Sequence, residues 1–406
     1  MTSESAGTGR NVRRPRIALY GHDTVGLGHL RRNLTLARTL AGPSVDADVL
    51  VVAGVPEAAV FPRPEGVDVV TLPSVAKDAS GGYVSGGLGI PLDEVVAIRA
   101  AVLRAALGSF APDLLVVDKV ALGLGGELAP ALRRVRSRFG TRTVLGLRDV
   151  LDDPRAARTE WRRLRTTETL REHYDEVWVY GDPAVHDLAD ACHVPPGLRS
   201  VLHHVGYLAD GRTGTPVPPP GPDPGTPYVV RLVGGGQDGC RLATALTGTA
   251  GRTGVPHVVL VAGPYFPAVA LTTVQRSAGH DLTVVPFATE PERWLAGAEA
   301  VVSMGGYNTV TEVLPTSTPA LLVPRTAPRL EQWVRAERLA ALGLVDVLHP
   351  ADLEPGRLAG WVVEAAGRRV PRAGRLDLGG LAAVARRAAA LLPAGTDRQE
   401  VARAAG

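Results

Sequence analysis

The sequence predicts an α/β protein of two similar halves with parallel sheets and a cleft between them, and three observations carry that reading. Short β-branched runs alternate with longer amphipathic ones from Arg16 onward, the pattern of parallel α/β domains. A strap from Thr213 to Pro227 holds seven prolines; it is too stiff to join a core and splits the alternation into two series. Glycine-rich turns follow strands in both series, at the carboxyl ends where ligands of open parallel sheets bind.

In the first series, strands are expected at Ile17–Tyr20, Asp48–Val52, Val67–Thr71, Leu114–Val117, Thr143–Leu147, Glu176–Val179 and Ser200–His204. Helices are expected at Leu30–Leu40, Asp93–Leu107, Glu127–Arg138 and Arg155–Arg171, and Gly81–Gly89 reads as a Gly/Ser-rich loop. Leu30, Leu34, Ala37 and Leu40 fall near helical spacing, so that helix can lie on a sheet. The second series has strands at Tyr228–Val233, His257–Ala262, Leu282–Val285, Ala300–Ser303, Ala320–Val323 and Val345–Leu348, and an Ala/Arg-rich helix from about Leu376 to Leu392. The division that follows is a disordered lead at 1–14, a first domain at 15–210, a linker at 211–227, a second domain at 228–375, and a final helix and tail at 376–406.

With 406 residues, 45% of them apolar and 21% charged, the chain can bury more than one core. Aromatic residues are only 4% and the net charge is +3, with a pI of about 9.0. Spread arginines and few stacking rings argue against nucleic acid as a partner. Cys192 and Cys240 lie far apart, which fits neither a disulfide framework nor a zinc site and suits a reducing cytoplasm. The lead Met1–Arg14 lacks the apolar segment of a signal peptide, and no run approaches the roughly 18 apolar residues of a membrane span. Contact with a membrane surface stays open.

Four motifs can carry chemistry. The first, Gly21 to His29, follows the first strand and opens the first helix. Gly26 and Gly28 let backbone approach a ligand at a helix start, but Arg31 occupies the third glycine position of a dinucleotide fingerprint. His29 can take a proton from an attacking hydroxyl, or it is a capping or core histidine. The second, Gly234-Gly235-Gly236-Gln237-Asp238, can cradle a phosphate or form a tight strand-to-helix turn; without Gly-Lys-Ser/Thr it is not an ATP-hydrolysing loop.

The third, Ser303-Met304-Gly305-Gly306-Tyr307-Asn308-Thr309 with Glu312 a turn later, suits a diphosphate at a helix start and a ribose diol on the acid. Its bland reading is a helix cap with an exposed glutamate. The fourth runs from Pro324 to Arg335: Glu331 and Gln332 can bond sugar hydroxyls, while Arg325, Arg329 or Arg335 can neutralise phosphate. Alone, it is more often an ordinary charged helix. Arg148-Asp149, after the strand Thr143–Leu147, either lines the cleft or forms a surface ion pair. Asp46-Ala47-Asp48 has the form of a metal-binding Asp-x-Asp, but no further ligand accompanies it, and it reads as a chance match.

With these motifs in order, the chain resembles the MurG-like glycosyltransferases, whose C-terminal part belongs to glycosyltransferase family 28. Within that group it looks closest to a branch of predicted bacterial glycosyltransferases. The resemblance implies a GT-B fold, two Rossmann-like domains facing across a cleft, with the last helix crossing back to the first domain, the donor nucleotide in the second domain and the acceptor in the first. It implies a hexosyltransferase that inverts its donor's anomeric carbon without a metal and needs no cofactor beyond a nucleotide-diphosphate sugar, with uridine as the expected base. His29 matches a base or phosphate-contacting histidine, Gly305, Gly306, Asn308 and Thr309 the diphosphate turn, and Glu312 the ribose acid. Gln332 matches a donor-sugar contact, and Phe287 and Ala288 the backbone that reads the base. His22, His29 and Asp149 are thus the expected chemical residues, and Gly26, Gly28 and Arg148 the acceptor loop. The donor set is completed by Gly234–Asp238, Ser303, Arg325, Arg329 and Glu331.

Two departures stand out. The first loop has Gly-Leu-Gly-His where the family has Gly-Gly-His, and Glu331-Gln332 replaces a His-Gln pair, which points to a different sugar. The acceptor is expected to be a small molecule or an envelope precursor, at the inner membrane face if lipid-linked. A nucleotide-sugar hydrolase or 2-epimerase, or a non-catalytic nucleotide-sugar-binding partner, would use the same donor motifs.

Overall fold

A computed structural model describes residues 13–22, 26–78, 82–212, 215–234 and 239–393. The lead up to residue 12, the tail from 394, and Gly235, Gly236, Gln237 and Asp238 of the second motif lie outside the described residues.

The first sheet comprises β1 (Arg16–Gly21), β2 (Asp48–Ala53) and β3 (Val67–Thr71), then, after a hairpin of β4 (Val75–Lys77) and β5 (Tyr83–Ser85), β6 (Leu114–Asp118), β7 (Arg142–Arg148), β8 (Glu176–Tyr180) and β9 (Leu202–His204). Its seven strands run in the order β3-β2-β1-β6-β7-β8-β9, all parallel. The second sheet holds β10 (Tyr228–Leu232), β11 (His257–Val261), β12 (Leu282–Val285), β13 (Ala300–Ser303), β14 (Ala320–Leu322) and β15 (Asp346–Val347). Its six strands, also parallel, are ordered β12-β11-β10-β13-β14-β15. Every residue of β6 and of β10 is buried, as strands covered by helices on both faces must be, hence their nearly unbroken apolar runs. In each sheet the order reverses direction beside the first strand, β1 or β10, which puts a ligand crevice at its carboxyl end.

Local chemistry sets the helix ends. Gly140, at φ 64°, closes the helix Ala129–Phe139 in the left-handed conformation that glycine adopts without strain. Asp153 caps Pro154–Arg163 by accepting from the N–H groups of Arg155 and Ala156. The single helix expected over Arg155–Arg171 is two pieces, Pro154–Arg163 and Thr166–His173. Arg165 breaks it at φ 50°, and the Trp161 indole staples the turn by donating to Thr167 Oγ1 at 3.0 Å. The expected loop Gly81–Gly89 contains a strand, β5, paired antiparallel with β4; three residues are too few for alternation to reveal a strand.

The lead also meets the fold before residue 15. Arg13 pairs with Asp113 at 3.1 Å, and Arg14 reaches Asp46 at 2.7 Å and Asp48 at 3.1 Å, which engages both acids of the Asp-x-Asp triplet. The strap runs along the second domain, with Val217 N–H donating to Arg293 O and Arg293 Nε donating to Thr215 O, each at 3.1 Å. The last helix, Gly380–Leu391, packs against Gly28–Ala41 of the first domain, and Arg387 grips Glu176 through two bonds of 2.9 Å. One apolar cluster runs through both domains, from Leu19 and Trp178 to Tyr307 and Leu322 and on to Val384. No helix among the described residues is long and apolar enough to cross a membrane.

Candidate functional site

The carboxyl ends of the two sheets bound a cleft of ≈ 1270 Å³. The first domain contributes Gly26, Leu27 and Gly28 from the first motif, Arg31 and Arg32 from the helix behind it, and Arg148 from the end of β7. The second contributes Gly234, Phe287 and Ala288, the turn Gly306–Thr309, and Glu312, Arg325, Glu331 and Gln332. Thus most of the residues expected from separate motifs meet at one site.

His29 lies on the helix Gly28–Ala41 between cleft-lining Gly28 and Arg32, its side chain 18% exposed. Its Nδ1 is 3.0 Å from Oδ2 of Asp118, the last residue of β6. Arg32, three residues along the same helix, donates to the same carboxylate oxygen. Burial pushes the Asp118 carboxyl up, but Arg32 and His29 outweigh it and hold it ionised far below the usual range. His29 Nδ1 also lies 3.1 Å from Arg32 Nη2, so it meets both a donor and an acceptor; in the tautomer that donates from Nδ1 to Asp118, Nε2 keeps its lone pair. That is the orientation of a general base whose cation a buried carboxylate can stabilise.

His22 does not join the cleft. It is buried, with its ring centroid 4.8 Å from that of His29, and burial together with the His29 and Lys119 charges drives its pKa well down. It is a neutral packing partner behind His29, because a second charge there would lie buried beside other cations. Asp149 is likewise no cleft acid. It is fully buried against Arg335 at 2.6 Å and accepts from Tyr207 at 2.9 Å. Burial opposes its ionisation and the Arg335 guanidinium overrides that.

On the opposite wall, β13 leads into Gly305 at φ 72° and then the helix Tyr307–Val313. Ser303 is buried under this turn and accepts from Gly305 N–H at 3.2 Å, so it shapes the turn from below. No side chain caps the helix start at Gly306, which leaves first-turn N–H groups for an anion. Thr309 lines the cleft, but Asn308 gives its amide to Gly28 O at 3.1 Å and joins the domains. Glu312 is fully buried; its Oε1 accepts from Arg31 at 2.9 Å and Arg212 at 3.0 Å. Its Oε2 has no hydrogen-bond partner among the described residues and can accept from a hydroxyl entering the cleft.

The fourth motif divides. Gln332 lines the cleft, its Oε1 accepting from Arg325 N–H at 3.2 Å, and Arg325 pairs with Glu331 beside it. Arg329 turns away, bonded to both oxygens of Glu160 at 2.9 Å with Asp152 at 3.5 Å. It clasps the first domain, since two fixed carboxylates hold its planar fork outside the cleft. Phe287 lines the cleft and meets Phe61 of the first domain edge-on at 5.8 Å. Gly234, at φ 74°, lines the cleft just before the undescribed residues. Among the described residues no group of three or more His, Cys, Asp or Glu is arranged to hold a metal.

Three residues at or beside the cleft carry no motif: Asp118, Arg31 and Arg32. Asp118 ends an otherwise apolar strand, an acid at the sheet edge where ligands gather, and that was its signal. Arg31 stood out only as the residue that breaks a dinucleotide fingerprint. Arg32 had no sequence signal beyond lying three residues from His29.

Residues 232–367 match the glycosyltransferase family 28 C-terminal domain. The chain is 35% identical over 151 residues to the UDP-N-acetylglucosamine--N-acetylmuramyl-(pentapeptide) pyrophosphoryl-undecaprenol N-acetylglucosamine transferase of Halorhodospira halophila, a stretch covering 36% of this chain and 41% of that protein. The chain therefore spans well under half the length of that relative. Among solved structures it is similar to the calicheamicin glycosyltransferase CalG4, at 20% identity, 97% and 98% coverage and a TM-score of 0.54. It is also similar to Arabidopsis thaliana UGT89C1 complexed with UDP-L-rhamnose, at 14% identity, 97% and 98% coverage and a TM-score of 0.56. These structures share its two-domain GT-B fold, and within that fold the second domain is the part that matches the glycosyltransferase family 28 C-terminal domain.

Proposed function

We propose that this chain transfers a sugar from a nucleotide-diphosphate donor to a hydroxyl or amine acceptor, in one displacement that inverts the anomeric carbon and needs no metal. The observation that carries the reading is the His29–Asp118 pair, with His29 on the helix whose Gly28 and Arg32 line the cleft, and an uncapped glycine turn and the unpartnered Glu312 Oε2 on the second-domain wall. His29 Nε2 takes the acceptor proton while the acceptor atom bonds to the anomeric carbon. The bond from that carbon to the diphosphate breaks, and its electron pair leaves on phosphate oxygen. A single base on the face opposite the leaving group supports inversion. Backbone N–H groups of the turn and cleft arginines stabilise the leaving charge, which a metal would otherwise do.

The donor occupies the second-domain wall, with the diphosphate at Gly305–Thr309, ribose at Glu312, base beside Phe287 and Ala288, and sugar near Gln332. Uridine is the base we favour, supported by the UDP-sugar donor that the Halorhodospira halophila relative is named for. The acceptor enters along Gly26, Gly28 and Arg148.

The test is a thermal-shift screen against UDP-, dTDP-, GDP- and ADP-sugars in chelator, followed by NMR of the product's anomeric configuration. Saturation at 100 times the dissociation constant adds about 2.7 kcal/mol to the native state. A shift with UDP-sugars alone, and inverted product, is the expected result. Free sugar or a 2-epimer formed without acceptor would replace transfer with hydrolysis or epimerisation. No shift with any nucleotide sugar would remove the donor site itself.

A further inference from the structure

The cleft is rich in cations, and nearly all of them have partners. Asp118 answers Arg32, Asp149 answers Arg335, Glu160 answers Arg329, and Glu331 answers Arg325. Two neighbouring first-domain cations, one of them lining the cleft, share acids that other arginines already hold. Arg148 ends β7 and lines the cleft; its Nε is buried and has no hydrogen-bond partner among the described residues. Lys119 follows Asp118 on the neighbouring strand, and its N–H donates to Gly146 O at 2.8 Å. It holds a left-handed backbone at φ 69°, strain that a non-glycine residue keeps only where its surroundings enforce it.

The charges around Lys119 are Arg148 and Arg329 on one side of the balance and Glu160 and Glu331 on the other, and both acids already have arginine partners. Burial, with Arg148 next, lowers the Lys119 ammonium to about 7, and burial brings Arg148 down to about 10. The acids near Arg148, Glu331 and Asp118, are already bonded to Arg325 and Arg32, so its guanidinium keeps hydrogen-bonding capacity for a ligand, and such shared, incompletely paired cations gather at binding sites.

We propose that Arg148 and Lys119 form a subsite for an anionic oxygen group, a phosphate or a carboxylate, on the first-domain wall, apart from the glycine turn that faces the donor diphosphate. A planar guanidinium can bind two oxygens of such a group side by side, and the ammonium adds a point charge. The position of Arg148 beside Gly26 and Gly28 makes an anionic acceptor the expected source; a charged group on the donor is the other. The assignment of walls to donor and acceptor rests on the transferase reading, whereas the anion site itself does not.

The test uses the full chain and titration calorimetry with inorganic phosphate and pyrophosphate, alone and in protein saturated with UDP. Wild type, Arg148→Gln, Lys119→Met and Arg148→Lys are compared, with a melting curve for each. The expected result is phosphate binding that persists with UDP present, weakens tenfold or more in Arg148→Gln and Lys119→Met, and partly returns in Arg148→Lys. The melting curves show that each variant folds, so that lost phosphate binding reports the subsite. Phosphate binding abolished by UDP, with UDP itself weakened tenfold by Arg148→Gln, would support the subsite and give its anion to the donor. Unchanged phosphate and UDP affinities in both charge-removing variants would overturn the subsite. Failure of wild type to bind UDP while phosphate binding still depends on Arg148 would leave the subsite standing and sink the transferase reading instead.

Discussion

Arg335 and Asp149 meet across the domain boundary as a fully buried pair, with Arg335 Nη2 2.6 Å from Oδ1 and Nε 2.8 Å from Oδ2. One belongs to the helix Glu331–Ala341 of the second domain, and the other follows β7 of the first. Arg335 also donates to Gly305 O at 3.3 Å, so the clasp fastens the turn expected to hold the donor. Its strength lies in being complete: either charge left alone in that interior loses its compensation.

Asp149→Asn or Arg335→Met should each destabilise the protein by about 3–5 kcal/mol. The double variant Asp149→Leu with Arg335→Met should lose clearly less than the sum of the single ones. Urea unfolding of the four proteins measures this. Single-variant losses below about 1 kcal/mol, typical of an exposed pair, would mean the clasp opens in solution.

Asp118→Asn should lower kcat for sugar transfer by about 10²–10⁴-fold, the range of a positioned acid–base group. Donor affinity should hold, because Asp118 faces His29 and Arg32 and not the glycine turn. Steady-state rates with donor calorimetry separate the two effects. A loss under tenfold would show that His29 works without its carboxylate, or not at all.

Glu312→Gln keeps the side chain's shape while removing the charge that Arg31 and Arg212 share. Losing a charged acceptor for ribose is expected to weaken UDP by about 1.5–3 kcal/mol, roughly 10- to 100-fold. The melting temperature should fall as well, since two arginines lose their common partner. Unchanged UDP affinity beside a lowered melting temperature would reduce Glu312 to an interdomain strut.

The sequence made the sheets legible because their strands are buried on both faces, and runs such as Leu114-Leu115-Val116-Val117 admit few other readings. The glycine turn around Gly305 and the acid at Glu312 were legible for a related reason: backbone freedom and a helix start leave a local signature. Pairing across the cleft leaves none. Nothing near Asp149 in the chain announces Arg335, and nothing near Arg329 announces Glu160, so both were read as facing ligand when they face each other's domains. Asp118 was missed because it is a single acid whose partner, His29, lies on another strand–helix unit. Hairpin β4–β5 escaped because two three-residue strands are shorter than one period of reliable alternation.

Glu292 offers a test of the cluster around Arg31. Burial and the neighbouring Glu312 carboxylate push it up to about 7, while Arg31, 3.3 Å away, and Arg212 pull it down. The folded protein thus keeps this proton to near neutrality, whereas the unfolded chain releases it near about 4.3. Between those values the native state binds more protons than the unfolded one, so this group's contribution to stability falls as pH rises. Glu292→Gln, which cannot ionise, should match wild type near pH 4 and melt higher than wild type at pH 8. Melting curves from pH 4 to 8 measure the difference. Parallel curves would mean that Arg31 neutralises both acids at once, and that Glu292 is ionised throughout the range.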